Sequence, residues 1–226
     1  MTIFLGDLHG DFALLKSFLS IMKDHEVIQL GDMGIGFPKE LIHNWPPSKT
    51  CYNDDELTSL PRFDNLQWIR GNHDHPELSR NHPNYLGEFG NYTTKDGYDL
   101  FFISGSPSIP KDPLRKYPGI TWFRDEELTI DQWDKCLDLY TATKPDTVIS
   151  HCCPFECINY IHTKPLDPIG GLSERRMNEM LYIHQPKVWL FGHHHKNKEF
   201  VHKGTTFICI DKMNYRIYNP NEKYDN

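Results

Sequence analysis

Asp7 and His9, Asp32, Asn72 and His73, His151, and His193 with His195 are residue types that bind divalent ions or move protons. Each group stands directly after a short apolar run: Thr2 to Leu5, Val27 to Leu30, Leu66 to Arg70, Asp146 to Ser150, and Lys187 to Phe191. Carboxylates, imidazoles and one amide carbonyl suit borderline divalent ions such as Mn, Zn or Fe, and no position requires a thiolate. Asp7, His9, Asp32, Asn72, His151, His193 and His195 are too many ligands for one catalytic ion that must also keep an open position. A carboxylate shared between two ions lets each take about four protein ligands and still bind water. His73 follows Asn72, completes neither set, and is available for proton transfer.

The elements that must position these groups follow from the same stretches. In α/β sheets ligands gather beyond the carboxyl ends of strands, so residues far apart in sequence can converge there. Gly6, Gly31, Gly71 and Gly192, each just before a candidate ligand, permit tight turns close to an ion. After the first strand, Phe12, Leu15, Phe18, Leu19 and Met22 share one helical face behind Asp11, which stands where an N-cap would. Thr129 to Tyr140 has helical spacing, and Ser173 to His184 is expected as a helix capped by Ser173. Lys95-Asp96-Gly97 turns a hairpin within Tyr92 to Gly105, and Phe200 to Tyr218 alternates as strands around Lys203-Gly204. The segment from Gly36 to Pro61, rich in proline and poor in periodic apolar positions, is an irregular insertion bordering the site.

Taken singly the motifs are weak: Asp-x-His after a strand is commonly a capping pair, and Gly-Asp alone is usually a turn. Gly71-Asn72-His73-Asp74 and Gly192-His193-His194-His195 are more specific, and the ordered occurrence of all five carries the reading.

The 226 residues suit a single domain over 1–226. With 38% hydrophobic and 24% charged residues, no apolar run reaches the length needed to cross a bilayer, so no membrane partner is expected. The start Met1-Thr2-Ile3-Phe4-Leu5 lacks the pattern of a secretory signal, which predicts a cytoplasmic protein. Cys51, Cys136, Cys152, Cys153, Cys157 and Cys209 form no paired zinc framework and read as reduced packing residues. A net charge of −7 disfavours long nucleic acid as a partner.

Asp7-Leu8-His9, Gly31-Asp32, Gly71-Asn72-His73-Asp74, His151 and Gly192-His193-His194-His195 resemble the ordered motifs of the calcineurin-like metallophosphoesterases. The resemblance spans nearly the whole chain. It implies a four-layer α/β/β/α sandwich with a dimetal site at the C-terminal strand ends. It assigns Asp7, His9, Asp32 and His195 to one ion and Asp32, Asn72, His151 and His193 to the other, with Asp32 as the bridge. It makes Asn72 a substrate contact as well and His73 the proton donor to the leaving group, while His194 fills a variable position and is expected to be exposed or to face substrate.

Two divalent ions are implied, Mn first, with Zn, Fe or Ni as alternatives, together with a phosphorylated substrate. The implied reaction is hydrolysis of a phosphate monoester, on phosphoserine or phosphothreonine in a protein or on a small metabolite, by a hydroxide held between the ions. The alternative is a cyclic or linear nucleotide phosphodiesterase on the same core. Gly6-Asp7-Leu8-His9-Gly10 and Arg70-Gly71-Asn72-His73 look like small bacterial and phage protein phosphatases. Those place an Asp-Arg pair after the second Gly-Asp, where this chain has Met33-Gly34. That departure leaves Asp74 as the nearest carboxylate to orient His73. The stretch from Gly105 to Trp122, with Lys111 and Arg115, looks like a segment of small bacterial and phage metallophosphoesterases, and this resemblance makes Arg115 the arginine expected to take over phosphate binding.

Overall fold

Strands covered on both faces read as unbroken apolar runs rather than alternating ones, and that is how the central strands of this chain are built. The structure, a computed structural model, describes residues 1–36, 62–108, 118, 122–162 and 170–218. The order begins with β1 (Thr2–Leu5), α1 (Phe12–Ile21), β2 (Glu26–Gln29), β3 (Leu66–Trp68) and α2 (Pro76–Arg80). It continues with β4 (Phe89–Thr93), β5 (Asp99–Ile103), α3 (Ile130–Thr143), β6 (Thr147–Ser150), α4 (Ile158–Ile161) and α5 (Leu172–Ile183). It closes with β7 (Val188–Phe191), β8 (Lys198–His202), β9 (Thr205–Cys209) and β10 (Tyr215–Tyr218).

These strands form two sheets, ordered β10-β1-β2-β3 and β4-β5-β6-β7-β9-β8. β1, β2 and β3 run parallel, as do β5, β6, β7 and β9, so each sheet presents a row of carboxyl strand ends. Phe4, Ile28, Leu30 and Ile69 from the first sheet meet Leu100, Phe102, Ile149, Leu190 and Ile208 from the second in a buried middle layer. On the far side of the first sheet, Ile3, Leu5, Val27 and Trp68 pack against Leu15 and Leu19 of α1. On the far side of the second, Phe101, Val148, Trp189 and Phe191 cover Trp133, Cys136 and Tyr140 of α3 and Met177, Met180 and Leu181 of α5. Helix, sheet, sheet, helix is the expected four-layer order.

Local signals are realised where a side chain can satisfy a nearby backbone group. Asp11 accepts from the Leu14 amide at 3.1 Å at the start of α1, and Thr129 with Gln132 forms a capping box at the start of α3. β4 and β5 pair as the expected hairpin, with the Gly97 amide bonded to the Thr94 carbonyl. The expected cap at Ser173 is corrected: Ser173 lies inside the first turn of α5, and Gly171 is the N-cap. Glu174 accepts from the Gly171 amide and Glu127 from the Ser173 amide, each at 2.7 Å. The carboxylates satisfy the free amides that a serine hydroxyl was expected to take.

The insertion expected over 36–61 lies outside the described residues from position 37 onward, and so do Cys51, Lys111 and Arg115. Among the described residues no helix is long and apolar enough to cross a membrane.

Candidate metal centre

The loops beyond β1, β2 and β3 are tied together by backbone hydrogen bonds before any ligand is considered. The Leu8 and His9 amides donate to the Asp32 carbonyl at 3.0 and 2.8 Å, and the Gly10 amide donates to the Met33 carbonyl at 2.8 Å. The buried Asp74 carboxylate accepts from the amides of Gly71, Met33, Gly34 and Ile35, joining the loops after β2 and β3. It is a loop clamp, and nothing in these bonds directs it to the His73 ring.

The backbone is strained where the chemistry sits. Among the described residues His9, Asp32, His193 and His195 have φ of 48, 54, 65 and 50°, a left-handed conformation that costs a non-glycine residue free energy. The neighbouring glycines are there for space: a Cβ on Gly71 would overlap the Asp32 carboxylate, and one on Gly192 would overlap that of Asp7.

Asp7, His9, Asp32 and His195 bring one donor atom each to a common point, and Asp32, His151 and His193 do the same beside it. His9 Nε2 lies 2.9 Å from His195 Nε2 and 3.8 Å from both Asp7 Oδ2 and Asp32 Oδ2. His195 Nε2 lies 3.0 Å from Asp7 Oδ2, and His151 Nε2 lies 3.2 Å from Asp32 Oδ1. His9 and His195 are within hydrogen-bond reach of each other, whereas Asp7 Oδ2, His151 Nε2 and Asn72 Oδ1 are all buried without a hydrogen-bond partner. Buried donors of this kind are costly unless a cation satisfies them. The oxygen and imidazole set fits divalent ions, and Asp32 belongs to both groups.

A family model for the calcineurin-like phosphoesterases matches residues 2–197. The chain belongs to that family. It is therefore a metal-dependent phosphoesterase, and its fold agrees with solved structures. A phosphopantetheinyl hydrolase from Mycobacterium tuberculosis is similar over 100% of this chain and 98% of its own, with 13% identity and a TM-score of 0.51. A putative 5'-nucleotidase from Staphylococcus aureus, solved in complex with alpha-ketoglutarate, is similar over 94% of this chain, with 15% identity and a TM-score of 0.50. This chain spans only 48% of that nucleotidase. No curated protein matches the sequence.

The electrostatics of this phosphoesterase favour bound cations. Burial pushes the Asp32 carboxyl up, but the His151, His73 and His9 rings around it hold it well below the usual carboxylate range. Burial takes His9 down to about 4 against the pull of Asp32, and takes His193 well below the imidazole range with help from His151. Both are held neutral, the form that binds a metal. Burial also lowers His151, yet the adjacent Asp32 outweighs it and raises the ring to about 9. A cation held there would supply the positive charge that a proton on His151 otherwise brings to Asp32. His151 Nδ1 lies 2.7 Å from the Leu30 carbonyl, so Nδ1 carries a hydrogen toward it and Nε2 faces Asp32.

His73 is held beside both groups and belongs to neither. Its amide donates to Asp32 Oδ1 at 2.8 Å, and its ring packs edge-on against His9 with centroids 5.1 Å apart. His194 turns toward the helix layer, with Nε2 3.4 Å from the Cys153 thiol and Nδ1 3.1 Å from His162 Nε2. It is therefore half-buried rather than exposed. Arg70, which the motif put next to the site, is fully buried and bonds Glu88 Oε2 at 2.9 Å and the Glu126 carbonyl at 2.8 Å.

Sequence reasoning missed Ser108 and Glu126. Ser108 Oγ accepts from Asn72 Nδ2 at 3.3 Å and donates to Glu126 Oε2 at 2.6 Å. No motif signals them, because Ser108 lies in a loop and a lone glutamate reads as surface charge.

Proposed function

We propose that this phosphoesterase hydrolyses phosphate monoesters, with phosphoserine or phosphothreonine in a protein or a small phosphorylated metabolite as substrate. In this reading Asp7, His9, Asp32 and His195 hold one divalent ion and Asp32, Asn72, His151 and His193 the other. The observation that carries it is the meeting of strand-end donors from both sheets around orphaned buried atoms, with His73 alongside. When bound, the ions supply Lewis acidity toward phosphate oxygens and an activated water. Manganese is the first choice because mixed oxygen and imidazole donors accept it, with Zn, Fe or Ni as alternatives.

The chain's own residues do the rest. Asp7 and Asp32 bring the negative charge that offsets the ions, and the buried His151 and Asn72 hold their donors in one orientation. His73 donates a proton to the departing oxygen, whose charge grows as the ester bond breaks. Arg115 is assigned to phosphate binding on its chemistry and its place in the sequence. Free and buried Cys136, Cys152, Cys153, Cys157 and Cys209 support the reading of a reducing, cytoplasmic setting.

The test is a panel of alkyl and aryl monoesters and diesters turned over by protein of measured metal content. Monoesters are expected to be the better substrates. A large excess of diester turnover would put a nucleotide phosphodiesterase first, and no hydrolysis by protein carrying two bound ions would remove both readings. Elemental analysis and reconstitution of the apoprotein identify the metal.

A further inference from the structure

An asparagine that ligates a metal has a problem that aspartate and neutral histidine do not. Its side chain ends in an oxygen and a nitrogen of nearly equal size, and only the oxygen can coordinate. Which end faces an ion is decided by the hydrogen-bond network around the amide. Asn72 is buried, its Oδ1 has no hydrogen-bond partner, and its Nδ2 donates to Ser108 Oγ at 3.3 Å.

A serine hydroxyl is ambivalent and would accept either end of the amide. Here the ambivalence is removed. Glu126 meets Ser108 with both carboxylate oxygens, Oε1 accepting from the Ser108 amide at 2.8 Å and Oε2 from the Ser108 hydroxyl at 2.6 Å. The only hydroxyl proton is committed to the carboxylate, so Oγ offers Asn72 lone pairs alone. Asn72 must then present its NH2 group to Ser108 and turn its carbonyl oxygen away. Glu126 is itself anchored to the strand end that carries Asn72, because Arg70, two residues earlier, donates from Nη1 to the Glu126 carbonyl at 2.8 Å. Asn72, Ser108 and Glu126 are all buried, so water does not compete for these bonds.

We propose that Glu126 is a positioning residue of the metal centre: acting through Ser108, it sets the polarity of the Asn72 amide and holds Oδ1 toward the ion shared with Asp32, His151 and His193. This rests on the reading of Asn72 as a ligand. Glu126→Gln keeps size and shape but reverses the instruction. The glutamine carbonyl must face the Ser108 amide, so its NH2 faces Ser108 Oγ and frees the hydroxyl proton, which Asn72 satisfies by turning its carbonyl away from the ion. Ser108→Ala removes the instruction without reversing it.

The experiment titrates metal-free full-length protein with Mn2+ and reads the two affinities calorimetrically, alongside thermal unfolding of each apoprotein. Glu126→Gln is expected to weaken one of the two sites by about 10–100-fold, the usual effect of losing an outer-shell partner. Ser108→Ala leaves the amide free to choose, so only about half the population starts in the binding orientation and affinity falls about twofold. The double variant Ser108→Ala/Glu126→Gln is expected to bind Mn2+ more tightly than Glu126→Gln alone. A merely structural role for Glu126 has no means of producing that reversal.

A double variant as weak as Glu126→Gln or weaker would overturn the proposal. Should Glu126→Gln not fold, a loss of tenfold or more in Ser108→Ala would overturn it too. Asn72→Ala separates this idea from its foundation. If Asn72→Ala leaves both affinities unchanged, the ligand assignment itself fails. If it weakens one site while Glu126→Gln weakens none, the assignment stands and the role of Glu126 falls.

Discussion

In one ligand group His9 and His195 approach the rim of the site above a buried Asp7, whereas in the other His151 and Asn72 lie beneath it, and the two groups meet only at Asp32. The His195 side chain is 47% exposed, while that of His151 is fully buried. At the rim, His9 and His195 are aimed by a left-handed backbone and by their mutual approach. Beneath it, His151 is fixed by the Leu30 carbonyl and Asn72 by Ser108, both hydrogen bonds to neighbours that water does not reach. Similar donor sets can therefore be prepared in different ways. An ion at the rim should exchange readily with the medium, and one beneath it should be held by a rigid, dry surround.

The largest expected effect falls on the residue common to both groups. Asp32→Asn should weaken both ions and almost abolish turnover while the fold survives, checked by metal content, circular dichroism and rate together. Two tightly bound ions with a near-normal rate would break the comparison at its hinge, because neither group would then depend on the shared carboxylate.

Next comes the contrast between the groups themselves. His151→Ala removes a buried donor and should lose one ion in a way that excess Mn2+ does not restore, exceeding the about 10–100-fold typical of an outer-shell change. His195→Ala opens a position that water can fill, and added Mn2+ should recover much of the activity. If the two variants respond alike to added metal, burial does not separate the sites.

His73 belongs to neither group and tests chemistry rather than binding. His73→Asn should slow alkyl phosphates by about 10²–10⁴-fold, the usual worth of a general acid, and nitrophenyl phosphate far less, since its leaving group departs without a proton. The comparison is made at matched metal occupancy. An equal loss on both esters would mean that the ring steadies phosphate or the ions.

The smallest effect lies away from both. Thr129→Ala breaks the capping box of α3 and should cost about 1 kcal/mol of stability, with metal content and turnover unchanged. A loss of metal in this variant would show that the ion sites respond to the general firmness of the helix layer.

The order of apolar runs, each closed by a side chain of a type able to bind a metal, was legible because it depends on neighbours in sequence. So were the Asp11 cap, the hairpin around Gly97 and the helix starting at Thr129, where a hydrogen bond joins groups three residues apart. Other features depend on residues brought together from a distance, and only the tertiary structure decided them. β10 leaves its neighbours in the second sheet to lie antiparallel to β1 in the first, pairing Thr2 with Tyr218. Asp74, which adjacency offered to His73, is taken by amides from the loop after β2. His194 is drawn inward by Cys153 and His162. Asn72 could be recognised from its motif, but the direction of its amide depends on Ser108 and Glu126, which lie 36 and 54 positions away in the sequence. Residue type and order determine which atoms are able to bind an ion, whereas their aim is set by hydrogen bonds that exist only once the sheets and their loops have packed.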